Sequence, residues 1–365
     1  MPGGIVGPPN TRIAKSREVF MRVVQVGFGS VGKENLRQLA KRGHQLVGIV
    51  DRQEILDGID LAKLVVRGEP PALESDLAKC LARSKADILL LSTSYDPAHI
   101  LDVVIKAAAA RCDVITANGI VDVIEIDPQL SEAIEQAAKE AGIRVLGVGI
   151  VPGFFSDLLP VFLTGLCADV SKIKFLFRTD FDKYGPDVMR RFGFGLSREE
   201  FDAQAKAGTM VLFERLWQSA HFIAHQLGWP ISKTEETKQA FVSDRERRGD
   251  YALVNAGAVG GFSHQVVIHS TEARRIDLEV VAYLNASGDE ETPALFVEIA
   301  GNPTFRADFS GEVLLSSGGV VSTSARMVNS IAGLAAVAPG FRTTADLPAV
   351  VCQDRPSARR SNACH

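Results

Sequence analysis

The chain has little of what marks several common classes of protein. No apolar run approaches the roughly 20 residues that a membrane-spanning helix needs. The longest, Val145 to Phe155, is interrupted by Gly147, Gly149, Pro152 and Gly153. Neither sign of charge is in excess: 40 Lys and Arg stand against 44 Asp and Glu, a net charge of −4. That balance gives no electrostatic reason for a nucleic-acid or membrane-surface partner. The five cysteines (Cys80, Cys112, Cys167, Cys352 and Cys364) show no CxxC spacing and are odd in number. Neither a disulfide framework nor a zinc site is indicated, no metal is expected, and the expected compartment is the cytoplasm. The first 20 residues hold Pro2, Pro8 and Pro9 but no apolar segment of a secretory signal, and read as a disordered extension.

What is present is an alternation of strand and helix. Arg22 to Val26, Gln45 to Val50, Ala86 to Leu91, Cys112 to Thr116 and Ile143 to Gly147 are short runs rich in Val, Ile and Leu. Between them, helical periodicity covers Ser30 to Lys41, Leu73 to Ala82, Pro97 to Ala110 and Pro128 to Ala141, with Gly142 as the closing residue. Continuous apolar strands at βαβ spacing predict a doubly wound parallel sheet covered on both faces. Beyond Phe154 the texture changes. A charged helix is expected over Arg198 to Ala207 and an apolar one over Val211 to Leu227. Strands are expected over Ile173 to Arg178, Ser263 to Ser270, Ile276 to Leu284 and Ala294 to Ile299, mainly antiparallel, and a last helix over Ser324 to Val337.

Gly27-Phe28-Gly29-Ser30-Val31-Gly32 is a GxGxxG that follows a strand and opens a helix. The first glycine permits the tight turn, the second lets the backbone approach a diphosphate, and the third lets the helix pack close to the sheet. The free N–H groups of the helix start favour an anion. Asp51 ends the second strand, nineteen residues after Gly32, where an acid meets the adenosine ribose. These features together predict an NAD(P) site. Asp51 favours the 2′-hydroxyl of NAD, whereas Arg52 suits the 2′-phosphate of NADP, and both alternatives stand. Ser92, Thr93 and Ser94 follow a strand at its carboxyl end and either line the nicotinamide ribose or cap the helix opened by Pro97. Thr116, Ala117 and Asn118 end the next strand; Pro152 and Gly153 follow the one after. Both segments are expected at the nicotinamide end, with simple turns as the alternative.

The order of motifs then resembles a known family. Gly147-Val-Gly-Ile-Val-Pro-Gly-Phe-Phe-Ser-Asp157, Gly193-Phe-Gly-Leu-Ser-Arg-Glu-Glu-Phe201, Ile223 to Trp229 and Val328 to Ile331 followed by Ala338-Pro-Gly-Phe341 are its landmarks. They resemble the dihydrodipicolinate reductase-like superfamily, in its branch of 2,4-diaminopentanoate dehydrogenases and native amine dehydrogenases. The His-His pair and DAPSGT-like run of dihydrodipicolinate reductase itself are missing. The resemblance implies an N-terminal Rossmann domain over 21–150 and an α+β substrate and dimerisation domain over 151–322. A C-terminal helix over 323–350 returns to the first domain, and a disordered tail follows over 351–365. It also implies a homodimer that interconverts a small amine and its ketone or imine. Alternatives are a carbonyl or imine reductase of the same fold and a non-catalytic dinucleotide-binding sensor or scaffold.

Two departures bear on the substrate side. The family's catalytic Glu after the strand ending at Thr116 is not in its usual place: either Glu125, the first candidate, or Asp122 takes the role from a displaced loop, or the role is lost. The family's Asn before Pro-Gly-Phe is Val151 here. A base is needed to take the ammonium proton and activate water, a task for a carboxylate. His264 is a further candidate, since its alternating strand points it and His269 to opposite faces. Phe154, Arg178 and Asp180 are candidate substrate contacts, although Phe154 reads equally as core and Arg178, Asp180 and Asp182 equally as surface charge. His221 and His225, four apart on one helix, read as packing histidines because no third ligand accompanies them.

Overall fold

The computed structural model describes residues 20–64, 68–93, 95–181, 186–210, 213–250, 252–286, 291–314 and 316–352. The extension before residue 20, Ser94, Asp182 and the tail from residue 353 lie outside them. The first half of the chain runs β1 (Arg22–Val26), α1 (Ser30–Arg42), β2 (Gln45–Val50), α2 (Gln53–Leu56), β3 (Ala72–Glu74), α3 (Leu77–Ser84) and β4 (Ile88–Leu91). It continues with α4 (Pro97–Ala109), β5 (Asp113–Thr116), α5 (Pro128–Ala141) and β6 (Arg144–Gly147). The second half runs α6 (Leu158–Thr164), β7 (Asp169–Asp180), α7 (Pro186–Arg191), α8 (Arg198–Ala207), α9 (Phe213–Gln226) and β8 (Ile231–Val242). After it come β9 (Arg247–Arg248), β10 (Leu253–Val254), β11 (Val259–Ser270), β12 (Arg275–Tyr283), β13 (Ala294–Asn302), β14 (Phe305–Phe309), α10 (Ser316–Leu334) and β15 (Gly340–Arg342).

Seven strands form one sheet in the order β15-β6-β5-β4-β1-β2-β3, all parallel. Adjacent residues of its strands point to opposite faces and both are buried, which is why these strands read as unbroken apolar runs. Val24, Leu89, Leu91 and Val114 meet α3, α4 and α5 on one face. Val23, Leu90, Ile115 and Leu146 meet α1 and α10 on the other. Helix α10 is tied to α1 by Gln38 Nε2 donating to the Val321 carbonyl (3.1 Å) and Arg42 Nε donating to Asn329 Oδ1 (2.6 Å). No described helix is long and apolar enough to cross a membrane.

Six strands form the second sheet, in the order β14-β13-β7-β12-β11-β8. It is antiparallel except for β7 beside β12, which run parallel. Helices α6 and α9 cover one face, where Phe155, Leu216, Ile223, Phe175, Val266 and Val297 share a core. A separate aromatic cluster of Phe181, Phe194, Phe201 and Phe262 fills the end beyond it.

Two expectations are corrected. The helix expected over Leu73 to Ala82 begins only at Leu77. Ala72–Glu74 pairs with β2 as an edge strand, and Asp76 starts the helix by accepting from the Lys79 N–H at 3.2 Å. The strand β8 was not expected at all. Its sequence Ile-Ser-Lys-Thr-Glu-Glu-Thr-Lys-Gln carries few apolar residues, yet it pairs along β11 because that neighbour supplies the buried row.

Candidate functional site

The glycine turn is built as its residue types dictate. Gly27 has φ +86°, and a Cβ there would lie 2.5 Å from the Ser92 carbonyl oxygen. A Cβ on Gly32 would lie 2.1 Å from the Gly27 carbonyl oxygen, so α1 starts against the end of β1. Gly29 is different: a Cβ there would meet nothing within 4 Å, so it faces open space. Gly29 is also the residue that caps α1, with no side chain accepting from the first-turn amides of Ser30, Val31 and Gly32. Open space in front of unclaimed amides fits a diphosphate.

A buried amide pair props this turn from below. Gln25, inside β1, donates from Nε2 to the Gly27 carbonyl (2.9 Å) and to Ser92 Oγ (2.8 Å), and accepts from Asn35 Nδ2 (2.9 Å). Neither residue was singled out from the sequence; a glutamine in an otherwise apolar strand was the available signal. Asp51 closes the other side. Its Oδ2 accepts from the Phe28 N–H at 2.6 Å and its Oδ1 from the Arg52 N–H at 2.7 Å. The carboxylate is therefore held at the edge of the glycine turn, while the Arg52 side chain is exposed.

The strand-end residues hold one another. Ser92 Oγ lies 3.3 Å from the Gly27 carbonyl, so it supports the turn. Asn118 Nδ2 donates to Thr93 Oγ1 at 2.7 Å, and the Asn118 N–H donates to Thr116 Oγ1 at 3.0 Å, joining the ends of β4 and β5. Ala117 is half-buried beside them. After β6 the chain turns back on itself: a Cβ on Gly153 would lie 2.2 Å from the Gly149 nitrogen, and φ there is +118°. Pro152 and Gly153 are buried and Phe154 is half-buried. The carboxylate of Asp157, fully buried, accepts from the amides of Gly153 (2.6 Å) and Leu158 (2.6 Å) and from Ser219 Oγ (3.0 Å), fixing this corner to α9. Burial pushes its pKa up against those donors.

Helix α9 also carries the residues that face the loop after β5. Gln218 Oε1 accepts from the amides of Val121 (2.8 Å) and Asp122 (3.2 Å), and its Nε2 donates to the Gly119 carbonyl (2.6 Å). Two turns on, His225 stands between the two candidate acids: Nδ1 is 3.5 Å from Asp122 Oδ2 and Nε2 is 3.5 Å from Glu125 Oε1. Asp122 beside it raises the His225 pKa, with Glu125 adding to the effect and burial opposing it. His221 is stacked on Trp217, centroids 4.9 Å apart, and neither ring nitrogen has a hydrogen-bond partner. Burial pushes its pKa down. No group of three or more His, Cys, Asp or Glu side chains that could hold a metal ion occurs among the described residues.

Glu125, Ile126, Met210, Trp217, Glu236 and Lys238 line a cleft of about 250 Å³ between the loop after β5 and the second sheet. His264 lies behind it: it is buried on β11, with Nε2 2.9 Å from Glu236 Oε1, and burial pushes its pKa down. Burial alone would raise Glu236, but His264 and Lys238 hold it below the usual carboxylate value. His264 therefore positions a cleft carboxylate. Asp180 accepts from the amides of Asn285 (3.0 Å) and Ala286 (2.7 Å) and so ties down a hairpin loop, while Arg178 lies half-buried on β7. A second cleft, about 280 Å³ and lined by Arg22, Gln45 and Ser84, opens at the opposite ends of the parallel strands, where this architecture does not place ligands.

With this geometry in view, the chain was compared with known proteins. Residues 154–360 match the family model of the 2,4-diaminopentanoate dehydrogenase C-terminal domain, and residues 27–147 match that of the homoserine dehydrogenase NAD binding domain. The 2,4-diaminopentanoate dehydrogenase of Acetoanaerobium sticklandii is 27% identical over 334 residues, covering 90% of this chain and 93% of its own. The amine dehydrogenase of Streptomyces virginiae is 24% identical over 348 residues, covering 88% and 94%. The structure of amine dehydrogenase from Mycobacterium smegmatis superposes with a TM-score of 0.81 at 20% identity, covering 92% of this chain and 98% of that one, which shows a shared fold.

Two outcomes follow from the turn and the histidine. Gly29→Ala costs no more than about 1 kcal/mol, since its Cβ meets nothing and only the cap preference is lost, but weakens NADH binding more than about tenfold. Gly32→Ala costs about 1–3 kcal/mol of stability as well; calorimetric unfolding with NADH titration separates the two. His225 is raised above its ordinary value of 6.5, so its contact stabilises fully below 6.5 and is lost as pH rises through the raised value. The stability gap between the unaltered chain and His225→Ala is therefore wider near pH 5.5 than near pH 9. A pH-independent gap would refute the ionic contact.

Proposed function

We propose, on the premise that the chain belongs to the family of the 2,4-diaminopentanoate dehydrogenase C-terminal domain, that it is an NAD(P)-dependent oxidoreductase. It interconverts a small amine and its ketone through the imine, in the cytoplasm and as a homodimer. The observation that supports this most is Glu125, which lines the cleft, linked through His225 to the buried Asp122 on the loop after β5.

The residues present fit the dinucleotide. In this reading the amides after Gly29 hold the diphosphate and the Asp51 carboxylate holds the adenosine ribose. Thr93, Asn118 and the backbone of Pro152 and Gly153 border the nicotinamide. The coenzyme supplies the hydride acceptor for the amine's C–H. The chain's own residues do the rest. Glu125 takes a proton from the substrate ammonium, which frees the nitrogen lone pair. The substrate iminium is then attacked at carbon by water, whose proton also passes to Glu125, and loss of ammonia leaves the ketone. His225, tied to Asp122, gives each proton a path from Glu125 towards solvent. Gln218 positions the loop that carries both acids, with hydrogen bonds worth about 1 kcal/mol each.

Glu125→Gln is expected to lower the rate of 2,4-diaminopentanoate oxidation by about 10²–10⁴-fold with NADH affinity unchanged. An unaltered rate would remove Glu125 from the mechanism. Asp51→Ala is expected to weaken NADH by about 10- to 150-fold, since a charged hydrogen bond is worth about 1.5–3 kcal/mol, and to weaken NADPH less. Equal losses in a fluorescence titration would discard the ribose contact.

A further inference from the structure

Helix α9 turns one strip of rings towards the loop after β5. Trp217, His221 and His225 are spaced four apart, so they lie above one another on the helix. The His221 ring is stacked on Trp217, centroids 4.9 Å apart and planes within 14° of parallel, and meets His225 edge to face at 6.1 Å. Both ends of the strip meet Glu125. Trp217 lines the cleft with it, and His225 Nε2 is 3.5 Å from its Oε1. His221 is the middle rung and lies in the field of the same carboxylate.

His221 is 6% exposed, and neither Nδ1 nor Nε2 has a hydrogen-bond partner among the described residues. The stack on Trp217 accounts for the ring but not for its nitrogens. An apolar ring would pack there without burying two polar atoms. The buried His264 shows the contrast, with its Nε2 2.9 Å from Glu236 Oε1. Burial pushes the His221 pKa down, so the ring is neutral and offers one acceptor nitrogen and one donor. A neutral acceptor near a carboxylate, beside an open cleft, suits a water molecule. Water has two O–H bonds. One given to His221 and one given to Glu125 leave an oxygen lone pair free, which is the arrangement a nucleophile needs.

We propose that His221 holds the water that attacks the substrate iminium, with Glu125 as the base that takes its proton. This rests on the reading of the chain as an amine oxidoreductase with Glu125 at the reacting nitrogen. The water oxygen bonds to the iminium carbon as one water proton passes to Glu125. Glu125 returns that proton to the nitrogen, the carbon–nitrogen bond breaks, and ammonia leaves. The remaining hydroxyl proton passes to Glu125, and the ketone is released. His221 neither gains nor loses a proton; it fixes the direction of the water, and Trp217 fixes the plane of His221. The residue thus serves the hydrolytic step, after the hydride has left.

The test compares the first turnover with later ones. The chain, saturated with NAD⁺ or, separately, with NADP⁺, is mixed rapidly with excess 2,4-diaminopentanoate, and formation of the reduced coenzyme is followed by absorbance. The first turnover needs hydride transfer alone, whereas later ones also need hydrolysis. His221→Phe keeps the stack on Trp217 and removes both nitrogens. It leaves the first turnover within about twofold and slows later turnovers by about 10- to 100-fold, the loss that a misplaced reacting group brings. His221→Asn or His221→Gln, which return an amide near one or the other nitrogen, recovers part of that loss. Equal slowing of both phases in His221→Phe would overturn the proposal. So would later turnovers that keep their rate, and so would failure of both amide variants to recover any of it. If the unaltered chain reduced neither coenzyme with this amine, the amine oxidoreductase reading itself would fall, and the water site with it.

Discussion

The close approach of Gly32 to the Gly27 carbonyl is the contact on which the rest of the site depends. It leaves no room for a Cβ, and it brings the first turn of α1 against the end of β1 with its amides facing out. A turn this tight buries the carbonyls of Val26 and Gly27. Gln25 Nε2 donates to both, and Asn35 holds Gln25. The Phe28 amide at the turn's far edge is taken by Asp51. Buried backbone groups must be satisfied, so the anion cradle and its supports form one hydrogen-bonded unit.

The parallel sheet was legible because its physics is local. Strands buried on both faces need consecutive apolar residues, and a glycine that packs against a carbonyl has no substitute. The second sheet was legible in part. Strands β11 to β13 show up because their own residues are buried, whereas β8 is polar and takes its place from β11. Gln25 and Gln218 were not read as functional, because an amide inside an apolar strand or helix declares a partner without saying which one. Arg326 was not singled out either: its neighbours Phe154 and Asp157 lie about 170 residues earlier in the chain, and only the tertiary fold brings them together.

The candidate acids show the same limit from another side. Glu125 and Asp122 were picked as displaced carboxylates, and their spacing in sequence does not choose between them. The fold gives them different surroundings. Asp122 is buried, with its amide fixed by Gln218; Glu125 is exposed and lines the cleft. An acid that must exchange protons with a bound amine and then with water belongs at the open position, and a buried acid suits the role of orienting an imidazole. The bridging His225 makes this a division of labour. It sits on α9 and contacts both acids of the loop after β5, so the seating of that loop and the charge state of the site are linked.

That link also bears on water. Hydride transfer needs a dry site, yet deamination consumes a water molecule. The two demands are met if water enters from one side only. Around Pro152 and Gly153 the corner is closed by tight backbone contacts and by the fully buried Asp157, whose donors are all internal. Around Glu125 the cleft is open and lined by charged groups. The direction of water entry follows from which carboxylates are saturated and which are not.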